Sequence, residues 1–270
     1  MSALGFLCDH PEELHERLSP PRALERVGAA LYAPPVRPAG RAWWAGATPG
    51  ADLREAALAV LRRARSDGAS ALSVGGPPGN YRVSGLSPED HALREILKDL
   101  GFQVQSTHCD LLAATSPPGP LSLSGEGEQE TEIIGISPPL LTGRGGQGVR
   151  SLEWVAAHFG QPWRWEAERA FGHRGLFLAG PSSEPRGFVC HSGMNPSQGT
   201  FGPLGVLPAY RGTGLGARLA RYCLADLARQ GFDRVTVPWV ARDTVGFYRK
   251  VCTVEQVLDR EAWSLELDPA

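Results

Sequence analysis

Residues 205–216 read GVLPAYRGTGLG, and the residues that follow, ARLARYCLADLAR, have the apolar spacing of an amphipathic helix. Glycine inside a regular element costs about 1 kcal/mol relative to alanine, so a role is expected for Gly212, Gly214 and Gly216. A glycine-rich turn between a strand and a helix leaves main-chain N–H groups free at the positive end of the helix dipole. Such a turn suits a phosphate, and Arg211 adds a permanent cation beside it.

Three phosphate ligands are compatible with a glycine-rich turn, and the neighbouring residues separate them. A nucleoside triphosphate site requires GxxxxGK[ST], whereas the third glycine here is followed by Ala-Arg. A dinucleotide site is superficially compatible, because the turn satisfies GxGxx[GA]. That fingerprint needs its first glycine at the end of the strand and an acidic residue about 20 residues later. Four residues intervene here, and the next strand ends in Pro-Trp, so this hypothesis is disfavoured.

The remaining candidate is the pyrophosphate of coenzyme A. The stretch VLPAYRGTGLG at 206–216 resembles the acyl-CoA loop V-x-P-x-x-R-G-x-G-[LI]-G of the GNAT N-acetyltransferase superfamily. Residues 245–250, VGFYRK, resemble the late helix of that family, whose Phe-Tyr pair lies beside the acyl thioester. The resemblance covers most of 150–267 and implies acetyl-CoA as co-substrate, with no metal. The cofactor-binding residues that it implies are Leu204, Gly205, Val206, Leu207, Arg211, Gly212, Thr213, Gly214, Leu215, Gly216 and Phe247.

The same resemblance implies a direct reaction, in which an amine attacks the thioester carbonyl and CoA thiolate leaves. Tyr248 is the matching position for the proton donor, since a tyrosine of pKa about 10 is protonated at neutral pH and a thiol has a pKa of about 8.5. Main-chain donors within residues 204–207 are implied for the carbonyl oxygen. Pro203 and Pro208 bracket this run. We expect a bulge there to separate the strand from RVTVPWV at 234–240, leaving a cleft for the pantetheine arm.

A general base is not identified by the sequence. Four candidates lie upstream of the loop, and a base acting through water is an equal alternative; the candidates are Glu166, Glu168, His173 and His191. Cys190 and His191 are adjacent in a predicted strand and should point to opposite faces, so a catalytic Cys–His pair is not expected. The late helix departs from the usual FYxKxGF, because Cys252 and Thr253 stand where the glycine is expected. This departure leaves the shape of the acceptor pocket open.

Composition excludes several classes of partner. The net charge of the chain is −2, so we expect no binding to nucleic acid or to anionic membranes. The five cysteines are scattered, without CxxC or Cys/His ligand spacing, so neither a disulfide framework nor a zinc site is predicted. The N-terminus, MSALGFLCDHPEE, has no basic region like that of a signal peptide. We therefore expect a cytoplasmic protein, monomeric or homodimeric, whose partners are acetyl-CoA and a small amine.

The chain also contains an approximate repeat. TSPPGPLSLSGEGEQE at 115–130 is typical of a linker, and the order helix, turn, strand, helix, strand occurs on each side of it. The elements are helices at 52–66 and 88–100 with strands at 71–75 and 103–113, then helices at 213–229 and 243–250 with strands at 234–240 and near WSLEL. A chance similarity of two α/β halves is the alternative. In the first copy, Asp52 stands at the position where an anion would bind, and the spacing of glycines seen at 212–216 is absent.

These features predict an α/β fold of two GNAT-like domains. Each is expected to have a twisted, mostly antiparallel sheet flanked by helices, with a splayed pair of central strands. The predicted domains are 1–115, a degenerate copy without a CoA loop; 116–130, a linker; and 131–270, the acetyl-CoA-binding catalytic domain. The first half, like the N-terminal copy of tandem family members, resembles the family only weakly. Two functions remain open: an N-acetyltransferase acting on a primary amine, and a non-catalytic acyl-CoA-binding or regulatory module.

Overall fold

The chain divides into two units in the computed structural model, which describes residues 25–35, 39–75, 84–115, 132–136, 147–181, 184–194 and 199–267. Unit one contains the residues up to Asp110 together with those from Leu258 onward, and unit two contains Leu111–Val257. Both units combine strands and helices, so the predicted α/β class is confirmed. The predicted linker at 116–130 lies outside the described residues.

The secondary structure follows the order of the chain. The strands are β1 (Glu25–Val27), β2 (Ala30–Ala33), β3 (Arg41–Ala47), β4 (Ala71–Val74), β5 (Gln103–Ala114), β6 (Ile133–Ile136), β7 (Leu176–Ala179), β8 (Gly187–His191), β9 (Phe201–Val206), β10 (Arg234–Val240) and β11 (Thr253–Glu266). The helices are α1 (Leu53–Ser66), α2 (His91–Asp99), α3 (Gln147–Phe159), α4 (Gln161–Gly172), α5 (Leu215–Arg229) and α6 (Val245–Val251). Short 3-10 turns lie at Pro208–Tyr210 and Arg242–Thr244.

In unit one, strands β1 to β4 are neighbours in order, and the end of β11 pairs antiparallel with β4. Strands β3 and β4 are parallel, and all of β4 pairs with the first four residues of β3, from Arg41 opposite Ala71 to Trp44 opposite Val74. Helix α1 packs its apolar face onto this sheet. The predicted members of that face are buried or packed against the core: Leu53, Ala57, Val60, Leu61 and Ala64, joined by Ala56.

The N-terminus of α1 is capped by the side chain of the residue that precedes the helix. Asp52 is the N-cap, and its Oδ1 accepts hydrogen bonds from the amides of Arg54 at 2.9 Å and Glu55 at 3.1 Å. A carboxylate at this position satisfies the donors that an anionic ligand would otherwise use. The predicted obstruction by Asp52 therefore has a defined geometry within unit one.

We expect Asp52→Ala to lower the free energy of unfolding by about 1 kcal/mol, because two helix amides lose their acceptor. Asp52→Asn is the matched control, since an asparagine oxygen can cap in the same way. Denaturant titration measures the effect as a lower midpoint with an unchanged slope. An alanine variant as stable as the original chain would show that the cap does not contribute.

In unit two, β6, β7, β8 and β9 form an antiparallel sheet in that order. Helices α3 and α4 cover one face through an aromatic cluster, in which the Phe188 ring lies 5.1 Å from Phe159 and 5.9 Å from Trp163. Helix α5 packs on the sheet through its apolar stripe, and a Cβ at Gly187 would lie 3.1 Å from Leu219. Strand β10 is not part of this sheet; it neighbours the end of β5.

Element bounds agree with the predictions to within a few residues, with one informative exception. The strand predicted near WSLEL is only the end of β11, which is 14 residues long and begins directly after α6. Its residues up to Val257 belong to unit two, and those from Leu258 belong to unit one. No periodicity in the sequence marks this passage, because it depends on which strands pair.

Candidate functional site

The glycine-rich turn leads from β9 into α5. Gly212 and Gly214 have φ angles of 79° and 82°, a left-handed conformation that favours glycine. Gly214 is the N-cap of α5, and among residues 199–267 no side chain caps this helix. In this segment the amides of Tyr210, Arg211 and Arg218 donate to main-chain carbonyls. The amides of residues 212–217 make no main-chain hydrogen bond among the described residues. The turn thus presents a row of N–H groups at a helix N-terminus, the arrangement that binds phosphate.

Side chains of the turn are bonded so that they leave this row of amides uncovered. Arg211 is exposed and its Nε donates to the Val206 carbonyl at 3.1 Å. Thr213 Oγ1 donates to the Tyr210 carbonyl at 2.8 Å. The Arg186 guanidinium lies 5.1 Å from the centre of the Tyr210 ring and holds the outside of the turn.

Strands β9 and β10 diverge from a single point. Among the described residues, one isolated parallel bridge joins them, between Thr200 and Thr236. Beyond this bridge, β9 pairs with β8 and β10 neighbours β5. The two strands therefore form a V that opens toward the glycine-rich turn. The separation agrees with the prediction, but it begins after Thr200, before the run between the two prolines, and the register shift of β9 against β8 lies between Val189 and His191.

Alternate residues of β9 face the opening. The amide of Leu207 donates to the carbonyl of Arg186, the residue before β8, at 2.9 Å. Since successive residues of a strand direct their polar groups to opposite sides, Gly205 shares this direction and Leu204 and Val206 face away from β8. The contact from Arg211 to the Val206 carbonyl agrees with this assignment. The main-chain donors available to the cleft are thus the amides of Leu204 and Val206.

Gly205 is required by packing. A Cβ at this position would lie 2.6 Å from Phe159 Cε1 and 2.8 Å from Phe188 Cε1, both in the aromatic cluster under the sheet. Because these rings are packed against each other, they have little room to move away. Gly205 thus shapes the strand from its buried side.

We expect Gly205→Ala to lower the free energy of unfolding by about 1–3 kcal/mol, the usual cost of overpacking. Gly172→Ala is the matched control: it lies in α4, nothing lies within 4 Å of its Cβ position, and stability should be unchanged or slightly raised. Thermal or denaturant unfolding of both variants provides the measurement. Equal stability of the two variants would contradict the packing argument.

Phe247 and Tyr248 lie on α6, next to the loop and to β9. A Cβ at Gly216 would lie 3.6 Å from the Phe247 ring, so the first turn of α5 touches α6 there. The Tyr248 ring is perpendicular to that of Phe201, with centroids 6.0 Å apart. Burial raises the pKa of the Tyr248 hydroxyl well above its usual range, with smaller contributions from Cys252 and Cys223. The hydroxyl is therefore protonated at neutral and moderately alkaline pH.

The four candidate bases have different surroundings. Glu168 is exposed and pairs with Arg164 at 3.3 Å, whereas Glu166 is buried and His173 is exposed. His191 is fully buried, and both ring nitrogens are engaged, Nε2 with Asp226 Oδ2 at 2.8 Å and Nδ1 with Ser192 Oγ at 2.9 Å.

The cysteines at this site are buried thiols. Cys190 packs with α3 and α4 while His191 faces α5, which places the two side chains on opposite faces, as expected. Cys223 Sγ donates to the Cys190 carbonyl at 3.4 Å. Cys252 Sγ donates to the Tyr248 carbonyl at 3.3 Å, and burial raises the pKa of Cys252 to about 11. Cys252 thus packs at the end of α6 as a neutral thiol.

Sequence analysis missed Ser192 and Asp226. Strand β9, the glycine-rich turn and most of α5 lie between His191 and Asp226 in the sequence, and no local pattern links them. Within the described ranges there is no cluster of His, Cys, Asp and Glu suited to a metal ion. The helices described there include none with the length and apolar character needed to cross a bilayer.

Comparison with known proteins agrees with the geometry of unit two. Residues 147–253 match the family described as Acetyltransferase (GNAT) family. No curated protein sequence matches the chain at a significant level.

Solved structures share the fold at low identity. A GCN5-related N-acetyltransferase from Sphaerobacter thermophilus aligns with a TM-score of 0.67 and 14% identity, over 96% of this chain and 86% of that one. The glucosamine N-acetyltransferase region of a fungal multi-domain β-N-acetylglucosaminidase aligns with a TM-score of 0.65 and 13% identity, over 95% of this chain; the alignment spans only 37% of that longer protein. A tandem GNAT protein from the clavulanic acid biosynthesis pathway aligns with a TM-score of 0.55 and 16% identity, over 90% of this chain and 80% of that one. Residues 147–253 are therefore similar to the GNAT acetyltransferase family, and these solved structures share the fold of the chain.

Proposed function

We propose that the protein is an acetyl-CoA-dependent N-acetyltransferase that transfers acetyl to a primary amine of a small acceptor. One observation carries the proposal: an uncapped helix N-terminus stands at the open end of a splayed strand pair, with Phe247 and Tyr248 beside it. Such a cleft offers a phosphate site at its mouth and main-chain donors deeper inside.

The residues of the turn fit the diphosphate of acetyl-CoA. Nothing lies within 4 Å of a Cβ position at Gly212, so a phosphate group can approach the main chain there. The amides that follow, through Gly216, point from the helix end, and Arg211 supplies positive charge at the same place. Leu215 is buried and anchors the turn in the core, while Thr213 fixes its shape through the Tyr210 carbonyl.

The cleft residues have separate roles in this proposal. The amides of Leu204 and Val206 hold the pantetheine arm and stabilise the oxyanion that develops on the thioester carbonyl. Tyr248 delivers a proton to the departing sulfur, and Phe247 packs between the turn and that tyrosine. The acceptor amine gives up its proton before attack, and the four candidate bases and a base acting through water stay open for this step.

Unit one differs from unit two at both features that this site needs. All four residues of its strand β4 pair with β3, where unit two has one isolated bridge among the described residues, and its helix α1 is capped by Asp52. We therefore propose one acyl-CoA site in each chain, with the first copy (1–115) degenerate, the linker at 116–130 and the catalytic domain at 131–270. These domain boundaries remain a prediction.

A non-catalytic acyl-CoA-binding module is the second candidate. It is favoured by the state of His191, whose buried ring has both nitrogens engaged and so cannot accept a proton from substrate. In this case the turn would bind acetyl-CoA without transfer, and the protein would act as a sensor of the acetyl-CoA concentration.

A screen of acceptors separates the two functions. Purified protein is incubated with acetyl-CoA and a set of amines, amino acids and amino sugars, including glucosamine, and free CoA thiol is measured. The transferase proposal predicts thiol release with at least one acceptor, at a rate that depends on its concentration. Binding of acetyl-CoA without release for any acceptor would favour the regulatory module, and no binding at all would contradict both.

A further inference from the structure

A buried chain of hydrogen bonds connects α5 to the start of the splayed strands. Asp226, near the end of α5, bonds to His191 Nε2 at 2.8 Å, and His191 Nδ1 bonds to Ser192 Oγ at 2.9 Å. His191 is fully buried and Ser192 is nearly so. Space for the imidazole depends on Gly175, since a Cβ there would lie 2.9 Å from Nδ1. We call Asp226, His191 and Ser192 the relay.

The partners of the imidazole determine where its proton resides. The Asp226 carboxylate accepts three hydrogen bonds: from Arg229 Nη1 at 3.0 Å, from Gln230 Nε2 at 2.8 Å and from the His191 ring. A neutral imidazole can donate to it only from Nε2, so Nδ1 must accept from the Ser192 hydroxyl. Burial lowers the pKa of His191, against the smaller opposing effect of Asp226, and this keeps the ring neutral. The relay thus has one defined direction of donation, from Ser192 through His191 to Asp226.

Ser192 connects the relay to the bridge between Thr200 and Thr236, where the cleft begins. Its amide donates to the Thr200 carbonyl at 2.8 Å, and Thr200 forms the single bridge to Thr236 of β10. The Thr236 amide also donates to the Gly199 carbonyl at 3.3 Å. Ser192 has a φ angle of 57°, which is unfavourable for a residue other than glycine and persists only where surrounding bonds hold it. Next to Ser192, Arg169 Nε donates to the Gly193 carbonyl at 2.7 Å and holds the main chain at that residue.

We propose that His191, held in one tautomer between Asp226 and Ser192, is a positioning residue for the acyl end of the cleft. The relay fixes the Thr200–Thr236 bridge, from which the two walls diverge, relative to the helix that carries the phosphate-binding turn. It thereby sets the spacing between the main-chain donors of β9 and the wall formed by β10. This inference rests on the proposed function, because it assigns the relay to the binding of the acyl-pantetheine arm.

The test compares two ligands that share the diphosphate. Acetyl-CoA carries the acyl-pantetheine arm and ADP does not, and the affinity of each is measured by calorimetry for the original chain, Ser192→Gly and Asp226→Asn. Glycine adopts the φ angle of Ser192 without strain, so Ser192→Gly should stay folded even if Asp226→Asn does not. Arg234→Gln is the control, because it removes an exposed ion pair with Glu255 in the same unit. Long-range proton–nitrogen spectra report the tautomer of His191.

We expect both relay variants to bind acetyl-CoA about tenfold more weakly, while the affinity for ADP is unchanged. In the same variants the His191 ring should populate both neutral tautomers, since an asparagine amide can donate or accept and a glycine offers no hydroxyl. The Arg234→Gln control should change neither readout. Unchanged acetyl-CoA affinity, equal loss for both ligands, or an unaltered tautomer in Ser192→Gly would overturn the inference. If the original chain itself bound neither ligand, the proposed function would fail, and the inference with it.

Discussion

Tyr248→Phe should lower the turnover number by about 10²- to 10⁴-fold and leave the affinity for acetyl-CoA unchanged. The substitution removes only the hydroxyl oxygen. The ring keeps its perpendicular contact with Phe201, whose centroid is 6.0 Å away, and its place beside Phe247. Binding should therefore persist, while the leaving thiolate loses its proton donor. Initial rates with a competent acceptor and calorimetry with acetyl-CoA measure the two quantities separately.

The pH dependence gives a second view of the same residue. Because burial raises the pKa of Tyr248, its hydroxyl stays protonated across the alkaline range in which an ordinary tyrosine begins to ionise. Loss of the Tyr248 proton should therefore not reduce the rate as the pH approaches 10.

Tyr222→Phe is a suitable control for Tyr248→Phe, since the Tyr222 ring packs on Phe177. Full activity in Tyr248→Phe would remove this residue from the reaction.

Gly214→Asp should weaken acetyl-CoA binding on the order of 100-fold, the factor for about 2.7 kcal/mol. The substitution places a carboxylate at the N-cap of α5, as Asp52 stands at the N-cap of α1. The negative charge repels the diphosphate and competes for the amides that would bind it. The left-handed φ of 82° strains any residue other than glycine, so some loss of stability is expected from this substitution. Calorimetry and thermal unfolding measure the two effects.

Gly214→Asn is the matched control for this prediction. Asparagine has the same shape as aspartate, tolerates the left-handed φ of 82° better than most residues and carries no charge. Its affinity for acetyl-CoA should fall much less. Equal affinities for the Asp and Asn variants would mean that charge at the helix end is irrelevant, which contradicts a diphosphate at this position.

The sequence identifies the turn and α6 because their chemistry is local. A strand, a glycine-rich turn and a helix start occupy consecutive residues, and each glycine answers a constraint set within that stretch, as at Gly212 and Gly214. The same holds for Asp52, whose capping role depends only on the amides two and three residues further along the chain. Helix faces were likewise predictable, since burial in α1 follows the helical period.

Features that depend on distant pairing could not be predicted. The relay joins His191 to Asp226 across 35 residues, and nothing in either local pattern indicates the contact. Strand β11 contributes to both units because of the strands it meets, which its own alternation does not specify. The prolines around β9 suggested a distortion, but the single bridge at Thr200 and Thr236 required the third dimension.

The most direct measurement of the central claim follows the main-chain amides of the turn by nuclear magnetic resonance during titration with acetyl-CoA. We expect saturable shifts of the Gly212, Gly214 and Gly216 amide signals, followed by smaller shifts at Leu204 and Val206, whereas the capped amides of Arg54 and Glu55 stay unchanged. Signals at Gly212 to Gly216 that do not move at millimolar acetyl-CoA, or shifts confined to unit one, would contradict the account.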